Sequence, residues 1–266
     1  MMDSHALSSP FELYSAPYSV RAIIVRLTYA MRGRPREGYP DMTLRIKSIS
    51  LSPQNPEHLD EAFLCNVNKL GQVPVLVNKG ALGAPMPQTL DISWYLCDWY
   101  PDLLPREHEA QIRRLLEELH AINYAVLTFG PDAALLRGSM GRVDGLLGRR
   151  DISAAHREAL ELKARHMRDS AHGFTMDGLR RHEERSRGFL AKIVEVRGRF
   201  GDDAYIFGPR PTVLDAHVLP FIGRLCDRKR ADLVDQRLAS WFQAFKSGSM
   251  WREVVPGETT LPPFAA

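Results

Sequence analysis

Cysteine is scarce in this chain. Three residues, Cys65, Cys97 and Cys226, are spread over 266 positions. They are too few and too dispersed for a disulfide framework or a zinc site, and no metal is expected. An odd count with no pairing pattern fits a reducing cytosol. Long apolar runs are missing too: nothing approaches the roughly 18 residues that a membrane-spanning helix needs. Charge of one sign is not in excess, since Lys and Arg total 35 and Asp and Glu total 32. A net charge of +3 is far from the footprint of a nucleic-acid binder. The opening, MMDSHALSSP, has neither a basic lead nor an apolar core, so it does not read as a secretory signal. No internal repeat is present.

What remains is a hydrophobic content of 44% with 25% charged residues, the balance of a soluble globular protein. The length suits one large domain or two smaller ones. Residues 1–10 read as a disordered arm. Strand signals then alternate with helical ones. Phe11 to Tyr14 is a strand, and Ser15 to Ser19 a turn marked by Pro17. Val20 to Met31 is a helix, with Val20, Ile23, Ile24 and Leu27 on one stripe. Arg32 to Asp41 is a Gly-, Pro- and Arg-rich loop. Thr43 to Leu51 is a second strand, and Pro56 to Asn66 a helix with Pro at its first position. Val73 to Val77 is a strand leading into a hairpin through Asn78 to Gly83, and Leu90 to Tyr100 is a helix. The order β-α-β-α-β-β-α implies a parallel pair of strands joined by a late antiparallel one.

Beyond Pro101 to Pro105 the strand signals stop. Glu107 to Leu127 reads as one strong helix, with Ile112, Leu115, Leu116, Leu119, Ile122 and Val126 on one face. Phe129 to Arg150 reads as a mobile loop or a broken helix. Ser153 to Met167, Met176 to Arg199, Thr212 to Asp227 and Asp235 to Lys246 are helical, and the tail from Pro256 to residue 266 is irregular. The Arg-rich run from Arg137 to Arg199 is interleaved with acids and reads as a solvated face. Thr212 and Asp215 have the spacing of a capping box, which gives Asp215 a structural role. The expected organisation is an α/β unit over 11–101 and an all-helical unit over 106–255.

The most informative stretches are NKLGQVPVLV, from Asn68, and PQTLDISWYL, from Pro87. Pro74 can open a strand, and an X-Pro bond is the one that accepts the cis form. A cis bond would turn the main chain of Val73 outward, where an extended peptide can pair with it as an added strand. Gln88 and Thr89 open the next helix. Its unpaired first-turn N–H groups and positive dipole end suit a carboxylate. Thr89 can serve as its N-cap or donate its hydroxyl to a ligand. Together these features suit a small peptide with a free α-amino acid end.

Four segments carry a family resemblance: LYSAPYSVRAIIVRL, NKLGQVPVLV, PQTLDISWYL and YIFGPRPTVLDAHVLP. In this order, over roughly residues 11 to 250, the chain resembles a cytosolic glutathione transferase. The resemblance implies a thioredoxin-like N-terminal domain followed by an all-α helical bundle, glutathione as the cosubstrate, a homodimer and a cytoplasmic setting. It implies that Val73, beside a cis Pro74, pairs with the cysteinyl part of glutathione. Gln88 and Thr89 would hold the γ-glutamyl end, Gln72 would approach the peptide, and Gln54 or His58 would meet the glycine carboxylate.

A thiol near its ordinary pKa is mostly protonated at neutral pH, so such an enzyme must favour the thiolate. A hydroxyl donor and a helix N-terminus aimed at sulfur can do so. Tyr14, Ser15, Tyr18 and Ser19 compete for that role. The resemblance to the zeta-like class selects Ser19, with Tyr18 next, although that class carries Ser-Ser-Cys where this chain reads Ser19-Val20-Arg21. Arg21 would attract an anionic substrate or raise the thiolate population. Tyr124 and Phe129 are the candidates for the electrophile pocket. The expected activity is addition of the thiolate to a small conjugated electrophile in detoxification or secondary metabolism. The alternatives are a glutathione-dependent cis/trans isomerase and a non-catalytic binding protein.

Overall fold

A computed structural model describes residues 9–131, 134–201 and 205–261. Residues 1–8 of the arm expected over 1–10 and the end of the tail, 262–266, lie outside the described residues, as do 132–133 and 202–204. The N-terminal part builds one small mixed sheet of β1 (Phe11–Ser15), β2 (Leu44–Ser48) and β3 (Val75–Val77), ordered β2-β1-β3. β1 runs parallel to β2 with Ser15 opposite Ser48, and antiparallel to β3 with Tyr14 opposite Val75. The expected fourth strand is reduced to a single antiparallel bridge, Leu76 with Met86, sharing two hydrogen bonds of 2.9 Å. Asn78 shortens this hairpin, because its side chain accepts from the N–H groups of Gly80 and Ala81 and folds the turn onto itself.

The helices of this half are α1 (Val20–Ala30), α2 (Glu61–Asn66) and α3 (Thr89–Trp99). The helix expected from Pro56 is split. Residues 57–59 form a 3-10 turn, and Asp60 is extended, with φ −65° and ψ 146°, before α2 starts. α3 begins one residue early: Gln88 occupies the N-cap position and Thr89 is the first helical residue, so Thr89 does not cap the helix.

From residue 109 onward the regular elements are helices: α4 (Glu109–His120), α5 (Tyr124–Phe129), α6 (Ala134–Leu147), α7 (Ala154–Ala171), α8 (Met176–Arg197), α9 (Val213–Asp227), α10 (Gln236–Lys246) and α11 (Ser249–Val254). The single helix expected over Glu107 to Leu127 breaks at Asn123. The Asn123 side chain accepts from the N–H groups of Ala125 and Val126, which caps a new helix and ends the old one. Gly130, with φ +70°, then separates α5 from α6, so the Arg-rich segment is mostly helical.

α9 is the pillar of the molecule. Every residue from Val213 to Leu225 is buried, and it packs against α1. Its core runs continuously from Phe11, Leu13 and Ile23 in the N-terminal half to Leu214, Phe221 and Trp251 in the helical half. A second cluster, with Leu59 and Leu64 against Val143, Leu160 and Met167, docks α6 and α7 onto the α2 side of the sheet domain. Among the described residues, no helix is long and apolar enough to cross a membrane.

Candidate functional site

The site forms at the end of the sheet where β1 and β2 finish, outside the carboxyl ends of the parallel strands, where open α/β sheets take their ligands. β1 ends at Ser15, and a three-residue loop, Ala16 to Tyr18, leads to Ser19, the N-cap of α1. Two arginines, the half-buried Arg26 and the buried Arg224, hold this loop by its oxygens. Arg26 donates to Ser15 Oγ, to Ala16 O at 3.2 Å and to Pro17 O at 2.8 Å, and also bonds Val254 O. Arg224 of α9 donates to Tyr18 O at 2.8 Å, to Thr128 Oγ1 and to Thr260. Burial lowers both guanidinium pKa values to about 10.

These contacts sort the four hydroxyls. Ser15 is buried and accepts from Arg26. Tyr14 packs edge-on against Phe63 at 5.9 Å. Ser19 accepts from Ala22 N–H at a long 3.4 Å, and its own proton has no acceptor among the described residues. The Tyr18 hydroxyl is also without a partner among them. Ser19 and Tyr18 are therefore the two of these four hydroxyls whose protons have no acceptor among the described residues.

The NKLGQVP segment is closed by its own side chains. Asn68 Oδ1 accepts from Leu70 N–H, while Asn68 Nδ2 donates to Gln72 O. Gly71 sits at φ +56°, and a Cβ there would lie 2.8 Å from His58 O, so only glycine fits. The Val73–Pro74 bond is cis. The Val73 side chain packs with Ala16 and Phe63, which places it against the loop that leads to Ser19. Its N–H and C=O have no partner among the described residues. The antiparallel bridge between Leu76 and Met86 runs Pro87 and Gln88 back toward Pro74, so the start of α3 lies beside this edge. The Gln88 side chain is exposed, and neither it nor the Thr89 hydroxyl has a partner among the described residues.

The remaining candidates lie at the same end of the sheet with their side chains engaged. Exposed Gln54 accepts from Ser52 Oγ. Gln72 meets His166 of α7 at 3.1 Å. His58 Nδ1 lies 3.3 Å from Ser50 O, and a donated bond there leaves Nε2 as an acceptor, which does not suit a carboxylate. Burial, aided by Lys163 and Arg142, lowers its pKa to about 4.

Lys163 is a residue the sequence did not single out. It is buried on α7 and donates to Leu70 O at 2.6 Å, tying the helical half to the NKLGQVP loop. Burial lowers its pKa from 10.5 to about 8. Between those values the unfolded chain holds a proton that the folded chain has released, so this group makes stability rise with pH, by about 1.4 kcal/mol per unit. Urea unfolding of wild type and Lys163→Met should therefore diverge in favour of wild type from about pH 8 to about pH 10. A constant difference across that window rules the effect out.

The two pocket candidates differ. Phe129 is half-buried under Arg228. Tyr124 is buried, stacked on Phe221 at 5.0 Å, and is core rather than open wall. Arg21 lies over its ring at 4.4 Å. From Arg21 runs a chain that the sequence did not reveal: to His120 Nδ1 at 2.7 Å, from His120 Nε2 to His217 Nδ1 at 2.9 Å, from His217 Nε2 to Ser93 Oγ at 2.9 Å, and from Ser93 to Thr89 O at 2.8 Å. Burial, together with Arg21, lowers the pKa of His120 to about 3. Burial also drives His217 well below 6.5, with His120 and Arg21 adding to it. Both rings are therefore neutral. No cluster of His, Cys, Asp and Glu among the described residues could hold a metal.

No protein-family model matches the chain, and no curated protein matches it in sequence. Its fold matches solved structures throughout. The beta-etherase LigF from Sphingobium sp. strain SYK-6 is 18% identical, with 92% of this chain and 98% of that one covered and a TM-score of 0.64. Glutathione transferase F2 from Populus trichocarpa is 17% identical over 94% and 99%, with a TM-score of 0.57. Maleyl pyruvate isomerase, a bacterial glutathione S-transferase of the zeta class, is 18% identical over 96% and 100%, with a TM-score of 0.55. The chain has the glutathione transferase fold: a thioredoxin-like N-terminal half and a helical C-terminal half.

Proposed function

We propose that this protein is a glutathione-dependent enzyme that adds the glutathione thiolate to a small electrophile, a conjugated enone in the first instance. The observation that carries the reading is the main chain of Val73, which has no partner among the described residues, flanked at one end of the sheet by the side-chain donors of Gln88, Thr89 and Ser19, which have no acceptor among them either. A peptide strand laid along Val73 would satisfy both of its backbone groups. Gln88, Thr89 and the first N–H groups of α3 would take the γ-glutamyl end. Ser19 would donate its proton to sulfur, with the N-terminus of α1 adding to the stabilisation of the anion. In this reading 11–101 binds glutathione and 106–255 binds the electrophile.

The likeness to maleyl pyruvate isomerase supports a second reading, in which addition to the enone frees the former double bond to rotate and elimination returns glutathione. A product assay separates them. With glutathione and an enone, the transferase yields an adduct of their summed mass, and the isomerase yields an isomer with glutathione recovered. No product with retention on immobilised glutathione indicates a binding protein, and neither product nor retention overturns the reading. Thr89→Ala should weaken glutathione binding by about tenfold, the worth of one hydrogen bond to a charged group. An unaltered dissociation constant in calorimetry removes Thr89 from the site.

A further inference from the structure

Three arginines converge on α1 and the loop before it, and they differ in how their donors are used. The bonds of Arg26 and Arg224 go to loop carbonyls and hydroxyls and hold the backbone in place. Arg21 makes one hydrogen bond, from Nη1 to His120 Nδ1. Its Nε and Nη2 have no acceptor, and no carboxylate pairs with it, among the described residues. A half-buried guanidinium with spare donors and no counter-ion is poorly compensated, and its planar fork matches a carboxylate.

The chain behind Arg21 has only one possible direction. Arginine can only donate. His120 must therefore accept at Nδ1 and carry its proton on Nε2, His217 must do the same, and Ser93 must accept from His217 and donate to Thr89 O. No link can reverse while the rings stay neutral. The chain crosses from α1 through α4 and α9 to α3, so it fixes the guanidinium against four helices at once. It presses Arg21 onto the helical half, where the guanidinium covers the Tyr124 ring. The hydroxyl of that ring is buried with no partner among the described residues. Arg21, two residues along the chain from Ser19, thus brings donors without an acceptor among the described residues to the surface of a core phenol of the helical half.

We propose that Arg21 recognises a carboxylate on the electrophile, and that His120, His217 and Ser93 are positioning residues that aim it. This rests on the proposed function and names its substrate class as acidic electrophiles. The probes are a benzylideneacetone carrying a ring carboxylate and the methyl ester of the same compound, each assayed with glutathione. In wild type kcat/KM should favour the acid. Arg21→Met should lower the acid-to-ester ratio by about 30-fold, the worth of one charge-assisted pair, with Arg21→Lys between the two. His120→Leu should lower the ratio in the same way. His120→Gln, which can accept from Arg21 and donate to His217, should restore it. A wild-type ratio in Arg21→Met, with both probes turned over, overturns the inference and leaves the function standing. So does a variant that loses acid and ester equally or loses only glutathione affinity, for Arg21 would then serve the thiol. No turnover of either probe by the wild type, and no retention on glutathione, sinks the function itself.

Discussion

Ser19→Ala should keep its fold and its glutathione affinity while losing about a hundredfold in turnover near neutral pH. Of the four hydroxyls near the loop, Ser19 has a proton with no acceptor among the described residues and stands at the N-cap of α1. A hydrogen bond to a charged partner contributes about 1.5–3 kcal/mol, and that preference for thiolate over thiol becomes rate. The cap itself is a smaller matter. At 3.4 Å its bond to Ala22 is long, so its loss should cost toward the low end of the ~0.5–2 kcal/mol range for such residues. Ser19→Thr retains the hydroxyl and should retain most of the activity, and Ser19→Gly separates capping from catalysis. The pH profile is the decisive readout. If Ser19 stabilises the thiolate, the alanine variant should recover as pH rises toward about 8.5, where the free thiol ionises unaided. A profile identical to wild type would eliminate Ser19 and turn attention to Tyr18.

The fold was readable because its signals are local and redundant. The stripe of Val20, Ile23, Ile24 and Leu27 and the face of Ile112, Leu115, Leu116 and Leu119 each repeat at helical spacing, and each is buried as that spacing requires. The structure departs from the pattern where one polar side chain overrides it. Asn123 lies inside a run of good helix formers, and only its capping geometry shows that it starts a new helix. Asn78 likewise shortens the hairpin that was expected to supply a fourth strand. α11 carries no legible period, because six residues are too few to establish one. Phe129 to Arg150 reads as a mobile loop or a broken helix because its glycines lower helix propensity, and docking against Leu59 and Leu64 favours the helix.

The candidate site was legible in its backbone parts and opaque in its charged ones. Gly71, Val73, Pro74 and the start of α3 are specified by neighbours a few residues away. Arg21, His120, His217 and Ser93 come from four helices, and their partners are 97 to 124 positions apart. No spacing rule connects them. One signal was present: His217 and Asp215 are polar residues inside the apolar run of α9, where burial demands a partner for each. Lys163 carried a signal of the same kind: it falls on the helical stripe of Ala159, Leu160, Ala164 and Met167, all of them buried.

Asp215→Ala should be the most destabilising single change, by about 3–5 kcal/mol out of a total that for such proteins is typically 5–15 kcal/mol. The carboxylate is fully buried. It accepts from Thr212 N–H and Thr212 Oγ1, both at 2.7 Å, and from Ile206 N–H at 2.8 Å. One residue thus starts the central helix and pins the segment before it. Removal leaves three buried donors with no acceptor, and each orphan costs about 1–3 kcal/mol before relaxation. Asp215→Asn fills the same space but turns an amide N–H toward a donor, so it should lie between wild type and alanine. Burial and the hydrogen bonds oppose one another at this carboxyl: desolvation raises its pKa from 3.8 to about 6, against the downward pull of the donors. The folded chain therefore keeps a proton that the unfolded chain has lost. The contribution of Asp215 is greatest below about pH 4 and shrinks as pH rises to about 6. Urea unfolding at pH 4.5 and pH 7 should accordingly give the alanine variant its larger deficit at the lower pH. A deficit under about 1 kcal/mol at both would mean that the capping box is ornamental and that α9 is held by its apolar burial alone.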